Sequence, residues 1–336
     1  MDRMLTVEGL EISFRTDEGP ITPVQGVAFG VDAGKTLGLV GESGSGKSIS
    51  TKALMQLLPG TATLGAETRM RYRAKDGRTV EIEKLKRAGG EIRRLRGGEI
   101  GMIFQEPMAS FSPVYTVGNQ MMEAIRMHRG AGKREAREIA VDMLDKVGIS
   151  NPGTRVDQYA HEMSGGMRQR AMIALALSAG PQLLIADEPT TALDVTIQAQ
   201  VLELMRGLQN DLGMGMIFIT HDLGVIAQIA DEVAVMYLGT IVERGPTREV
   251  IREPAHPYTV GLLKAIPSLE TLTSRLRPVP GDIPSPHARP PGCPFHTRCD
   301  QAIKGLCDVR PPRDVSPASG RAVRCWLHDE NGRSAA

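Results

Sequence analysis

Four short segments of the chain carry apolar residues on both faces of an extended backbone: Thr36-Leu37-Gly38-Leu39-Val40, Leu183-Leu184-Ile185-Ala186, Met216-Ile217-Phe218-Ile219-Thr220 and Val233-Ala234-Val235-Met236-Tyr237. Strands buried on both faces belong to parallel sheets covered by helices, so these segments predict an α/β fold. Helical patterns lie between them. From Lys133 to Gly148, Ile139, Met143, Leu144 and Val147 recur at helical spacing and Gly148 supplies a stop. Ile49 to Leu58 and Arg168 to Ser178 read as further helices. About 140 residues separate the first two strands, too many for one crossover. A helical subdomain is therefore inserted, placed at about residues 106–180.

The composition fits a soluble globular protein: of 336 residues, 41% are hydrophobic and 24% charged, which excludes disorder, collagen and coiled coil for the bulk. A net charge of +1 argues against a global attraction to nucleic acid or anionic membrane. One local excess, 11 basic against 4 acidic residues over 69–96, reads as a solvated polar face rather than an anion-binding site. No run of about 18 apolar residues occurs, and acids interrupt the first eight positions. The expectation is a cytosolic protein that does not span a membrane. All four cysteines lie beyond residue 266, and seven prolines crowd Pro267 to Pro291, which predicts an extended linker or irregular wrap.

Chemistry concentrates at three places. Gly41-Glu42-Ser43-Gly44-Ser45-Gly46-Lys47-Ser48 fits the phosphate-binding loop pattern between a strand and a helix. Its glycines let backbone N–H groups wrap phosphates, Lys47 reaches the β- and γ-phosphates, and the Ser48 hydroxyl ligates Mg²⁺. Asp187 and Glu188 end a buried strand. Alternation points them in different directions, Asp187 toward Mg²⁺ and Glu188 toward a water attacking the γ-phosphate. Ser164-Gly165-Gly166 opens a helix and makes a second glycine-lined N-terminus suited to phosphate, although alone it reads as a simple cap. One ATP hardly needs two cradles, so the second is expected to serve a nucleotide held by a partner chain.

With these motifs in this order, residues 4–250 resemble the ATP-binding subunit of an ABC transporter. The resemblance implies a P-loop NTPase, ABC-type α/β nucleotide-binding domain over residues 1–250, binding ATP and Mg²⁺. Gln105 then matches the glutamine that approaches Mg²⁺ and the attacking water, Asp194 the loop that crosses the dimer interface, and His221 the switch histidine. Phe14 stands where the family often places an aromatic under the adenine; an ordinary core phenylalanine is the equal alternative. Met163 and Met167 replace the family's usual Leu and Gln, a mild departure, since Ser164 and the glycine backbone carry the phosphate contacts.

The segment Glu253 to Leu263 resembles the start of the C-terminal extension in oligopeptide and dipeptide importer ATPases, which gives residues 251–336 as that extension. The resemblance implies an ATP hydrolase powering peptide import, peripheral on the cytoplasmic face of the cell membrane. Its partners are then a second ATPase subunit, two polytopic permease subunits and an extracytoplasmic solute-binding protein. Nickel or oligosaccharide import is the alternative cargo, and a soluble ATPase acting on nucleic acid or ribosomes is the rival class. Cys293, Cys299, Cys307 and Cys325 are spaced C-x5-C-x7-C-x17-C, without the tight pair of most zinc ribbons. Likeness to peptide-importer ATPases favours a 4Fe–4S cluster on these four residues; zinc and reduced packing cysteines are the alternatives.

Overall fold

The structure, a computed structural model, describes residues 3–105, 110–191, 193–266 and 279–329. Residues 267–278 of the expected proline-rich wrap lie outside the described residues. Two compact units form: one comprises Met1–Met4, Val31–Lys35 and Tyr72–Ile219, the other Leu5–Gly30, Thr36–Arg71 and Thr220–Ala336.

In the first unit the strand Leu183–Asp187 runs parallel to Ile100–Ile103 on one side and to Gly215–Thr220 on the other. Every residue of Leu183–Asp187 and of Gly215–Thr220 is buried, as strands apolar on both faces require. The helices Val117–Arg129, Lys133–Lys146 and Gly165–Ser178 pack on one another. Thr116 caps the first of these by accepting the Asn119 N–H at 3.2 Å. Lys133–Lys146 buries Ala136, Ala140, Met143 and Leu144, while Ile139 is only half-buried. Alanines therefore fill part of the stripe assigned to larger residues, and their small side chains let the helices approach closely. The helix ends before Gly148, whose φ of 75° a β-carbon would strain.

In the second unit Leu5–Thr16 pairs with Gly19–Val31 and, antiparallel, with Ala62–Leu64. Thr36–Val40 runs parallel to Glu232–Tyr237, which turns through Leu238 and Gly239 into the antiparallel strand Thr240–Pro246. The short strand Ala322–Val323 of the C-terminal extension adds to the edge of Thr240–Pro246, pairing Val323 with Glu243. The extension is thus sewn into the sheet. Its attachment is ionic as well: Arg321 donates to Glu243 at 2.8 Å, and Glu243 also accepts the backbone N–H groups of Ala255 and His256, each at 2.9 Å. The basic stretch over 69–96 holds the strand Arg69–Arg73, which alternates exposed arginines with buried Met70 and Tyr72 and so presents a solvated face. Among the described residues no helix is long and apolar enough to cross a membrane.

Candidate nucleotide site

The glycine-rich loop belongs to the second unit, between the strand Thr36–Val40 and the helix Lys47–Leu54. Two of its glycines are forced by space and conformation. A β-carbon on Gly41 would lie 2.1 Å from the Met236 carbonyl oxygen, and Gly46 caps the helix at φ 99°. Lys47 is buried, and its ammonium donates to the carbonyls of Gly41 at 2.6 Å and Glu42 at 3.0 Å and to Ser45 Oγ at 3.3 Å. The loop's own oxygens therefore hold the lysine along its rim. Phosphate oxygens can exchange with those acceptors at the same ammonium, which is the chemistry a phosphate-binding lysine requires. Ser48 opens the helix beside Lys47, and Ser43 and Gly44 form the outer turn, Gly44 at φ 79°.

The carboxylate pair belongs to the first unit. Asp187 is buried at the end of its strand, and Glu188 follows in a left-handed backbone conformation, φ 48°, unusual for a residue with a β-carbon. That turn is held by the Glu188 N–H on the Ile219 carbonyl at 3.0 Å and the Thr191 N–H on the Glu188 carbonyl at 3.2 Å. Glu188 Oε2 accepts two side-chain donors, Thr191 Oγ1 at 2.9 Å and Gln105 Nε2 at 3.2 Å. A carboxylate fixed in this way can orient a water and accept its proton. Thr191 was not among the residues the sequence singled out. Its signal is the short Glu-Pro-Thr-Thr step, which returns the threonine to the carboxylate.

Ser164 caps the helix Gly165–Ser178, accepting the Met167 N–H at 3.4 Å, and Ser164 and Gly165 are exposed. Asp194 caps the helix Val195–Leu212, accepting the Ile197 N–H at 2.9 Å, beside Val195, which is 83% exposed. Gln169 donates to the Pro189 carbonyl and so ties the signature helix to the segment after Glu188. Phe14 is half-buried on the strand Leu5–Thr16, opposite Ala62. His221 is exposed at the end of Gly215–Thr220, followed by Asp222, which accepts the Gly224 N–H at 2.7 Å and starts the next helix. Ser48 thus sits in the second unit, and Gln105 and Asp187, the other expected Mg²⁺ neighbours, in the first.

The extension reaches the phosphate loop, which the sequence did not foretell. Both carboxylate oxygens of Glu42 accept from Arg298, at 2.8 and 3.1 Å, and the Glu42 N–H donates to the Tyr258 hydroxyl at 2.9 Å. Burial, then the Glu42 charge, raises the Tyr258 phenol above its usual range. Arg289 donates to the Leu238 carbonyl at 2.6 Å and Thr240 Oγ1 at 2.7 Å. Partners 256 positions apart leave no pattern in a single sequence.

The four cysteines all lie in the extension. Cys293, Cys299, Cys307 and Cys325 are all free and lie within electrostatic reach of one another, yet among the described residues no three metal-ligating side chains converge to hold an ion. The 4Fe–4S cluster and the zinc ion therefore find no ready ligand set. Burial pushes the Cys293 thiol up to about 12 and the Cys325 thiol up to about 11. Backbone groups engage the segment as well: the Cys293 N–H donates to the Cys307 carbonyl at 2.8 Å and the Ile303 N–H to Cys307 Sγ at 3.3 Å.

Residues 24–191 match the ABC transporter family, and residues 242–307 match the family described as oligopeptide/dipeptide transporter, C-terminal region. A Brucella abortus protein provisionally named a peptide import ATP-binding protein is 50% identical, covering 92% of this chain and 93% of its own. The dipeptide transport ATP-binding protein DppD of Bacillus subtilis is 44% identical, covering 100% of this chain and 98% of its own. Among solved structures, cbiO1 from Clostridium perfringens, part of the ABC transporter complex cbiONQ, superposes with a TM-score of 0.61 at 26% identity, over 75% of this chain and 92% of that one. The chain belongs to the ABC transporter family, as an ATP-binding subunit of its oligopeptide/dipeptide branch. Its α/β fold is the P-loop ABC-type fold that the resemblance implies.

Proposed function

We propose that this chain hydrolyses ATP to drive import of oligopeptides or dipeptides through a membrane complex. The observation that carries the reading is the double match, an ABC transporter body followed by an oligopeptide/dipeptide transporter C-terminal region, with relatives named for peptide import along more than nine-tenths of the chain. In this reading residues 1–250 are the motor, with a helical subdomain at about 106–180, and 251–336 the extension. Gly41 to Ser48 cradle the phosphates of Mg²⁺·ATP, with Ser48, Asp187 and Gln105 about the ion and Phe14 beside the adenine. Glu188 orients and deprotonates the attacking water, Gln105 and His221 complete the catalytic set, and the protein's share of phosphoryl transfer is positioning and charge stabilisation.

The exposure of Ser164, Gly165, Asp194 and Val195 supports a partner ATPase subunit meeting this face. Two permease subunits, a solute-binding protein and a peripheral place on the cytoplasmic face of the membrane complete the assembly. The reading is tested by purifying the chain from membranes under mild detergent. Recovery with polytopic proteins, and ATP hydrolysis stimulated by a peptide-loaded binding protein, is the expected result. Recovery with RNA or ribosomes, and no membrane protein, overturns it. Iron at the cysteines is a separate proposal, supported by four free cysteines within electrostatic reach of one another. Anaerobically purified protein without iron and acid-labile sulfide removes it, and zinc analysis of the same sample decides the alternative.

A further inference from the structure

Arg298 stands in the short turn His296–Arg298 of the extension, and its guanidinium is almost fully buried, with 3% of the side chain exposed. All of its donor nitrogens are used. Nε donates to the Pro280 carbonyl at 2.8 Å; Nη1 to Glu42 Oε2 at 2.8 Å and, more weakly, the Tyr237 hydroxyl at 3.5 Å; Nη2 to Glu42 Oε1 at 3.1 Å and the Val279 carbonyl at 3.1 Å. A planar fork that fills both oxygens of one carboxylate fixes position as well as charge. Below it Tyr237, Tyr258 and Phe295 pack ring to ring, with centroids 4.7 to 5.3 Å apart, and the guanidinium lies 5.7 Å from the Tyr237 ring.

Glu42 is held at three points. Its carboxylate is on Arg298, its N–H on Tyr258, and its carbonyl receives the Lys47 ammonium at 3.0 Å. The second residue of the phosphate loop thus joins the extension on one side to the phosphate-binding lysine on the other. We propose that Arg298 is a positioning residue of the nucleotide site: by clamping Glu42 it sets the shape of the loop in which Lys47 meets phosphate, so that ATP affinity depends on the C-terminal extension. The inference rests on the loop being the ATP site.

A second buried ion pair of the extension serves as an internal control. Arg321 and Glu243 are 6% and 1% exposed, against 3% and 26% for Arg298 and Glu42, and Glu243 holds the 255–256 backbone rather than the phosphate loop. Binding of a fluorescent ATP analogue with Mg²⁺ to the full-length chain, alongside its thermal midpoint, separates positioning from stability. Arg298→Gln should raise the dissociation constant about tenfold, or 1.4 kcal/mol. Arg298→Lys, which keeps the charge but loses the fork, should fall between it and the wild type, and carries the test if Arg298→Gln does not fold. Arg321→Gln should lower the midpoint and leave the dissociation constant within about twofold. Pairing Glu42→Gln with Arg298→Gln should cost little more than Arg298→Gln alone, as residues acting through one contact do. Wild-type affinity in folded Arg298→Gln and Arg298→Lys, an equal loss in Arg321→Gln, or strictly additive effects of Glu42→Gln and Arg298→Gln overturns the proposal. Lys47→Ala guards the premise: unchanged affinity in that variant sinks the ATP-site reading itself, whereas its loss beside an unaffected Arg298→Gln sinks only the clamp.

Discussion

Gln105 donates its side-chain amide to Glu188 at 3.2 Å across 83 positions of sequence. With Thr191 on the same oxygen at 2.9 Å, the carboxylate is held from two sides at the end of its strand. Exchanging Glu188 for glutamine keeps the size and removes the charge and the proton acceptor. Turnover should fall about 10²- to 10⁴-fold, while Mg²⁺·ATP binding persists. Phosphate release measured beside nucleotide binding checks this, and hydrolysis at the wild-type rate removes Glu188 from the reaction.

Gly41 fits because it has no side chain. Its missing β-carbon would sit 2.1 Å from the Met236 carbonyl oxygen, and backbone, unlike a flexible side-chain end, cannot swing away. Gly41→Ala must push apart Thr36–Val40 and Glu232–Tyr237, a cost of about 1–3 kcal/mol typical of overpacking. The loop shifts with the strand end, so nucleotide affinity should fall too. Urea unfolding of the variant against the wild type measures the first effect; equal midpoints would mean that the strands give way freely.

Much of this architecture is legible in the sequence because its signals are local. Leu183 to Ala186 is a continuous apolar run that suits burial on both faces, and the spacing of Gly41, Gly44, Gly46, Lys47 and Ser48 is set by what a phosphate needs within eight residues. The strands Leu5–Thr16 and Gly19–Val31 are harder to read. Their burial alternates imperfectly, half-buried positions interrupting the period, and Gly9 at φ 56° kinks the first of them. Hardest of all are the contacts between distant segments. Nothing near Glu42 says that its carboxylate belongs to Arg298, and nothing in the cysteine spacing says that Cys307 Sγ accepts the Ile303 N–H.

The Arg321–Glu243 pair predicts how firmly the extension is attached. Removing one partner leaves the other charged in a site closed to water, a loss of about 3–5 kcal/mol for a buried pair. Arg321→Met should therefore destabilise strongly. Replacing both residues, Glu243→Gln with Arg321→Met, should recover part of that loss, because no lone charge remains. Chemical denaturation of the wild type and the two variants tests the relation, and a double variant no more stable than Arg321→Met would contradict it.

His256 makes stability depend on pH below neutrality. It is fully buried, its Nδ1 accepts the Tyr258 N–H at 3.0 Å, and burial, then the nearby His328, pushes its pKa down from 6.5 to about 3. The folded chain therefore keeps the imidazole neutral while the unfolded chain takes up a proton as pH drops through 6.5. The unfolded state binds more protons throughout pH 3 to 6.5, so stability is complete above that window and declines as pH falls within it, by up to about 1.4 kcal/mol per unit. His256→Asn keeps an acceptor to cap the helix Pro257–Lys264 and has nothing to protonate. Its thermal midpoint should change less than that of the wild type between pH 6.5 and 5. Parallel acid limbs for the two proteins would assign the decline to other groups.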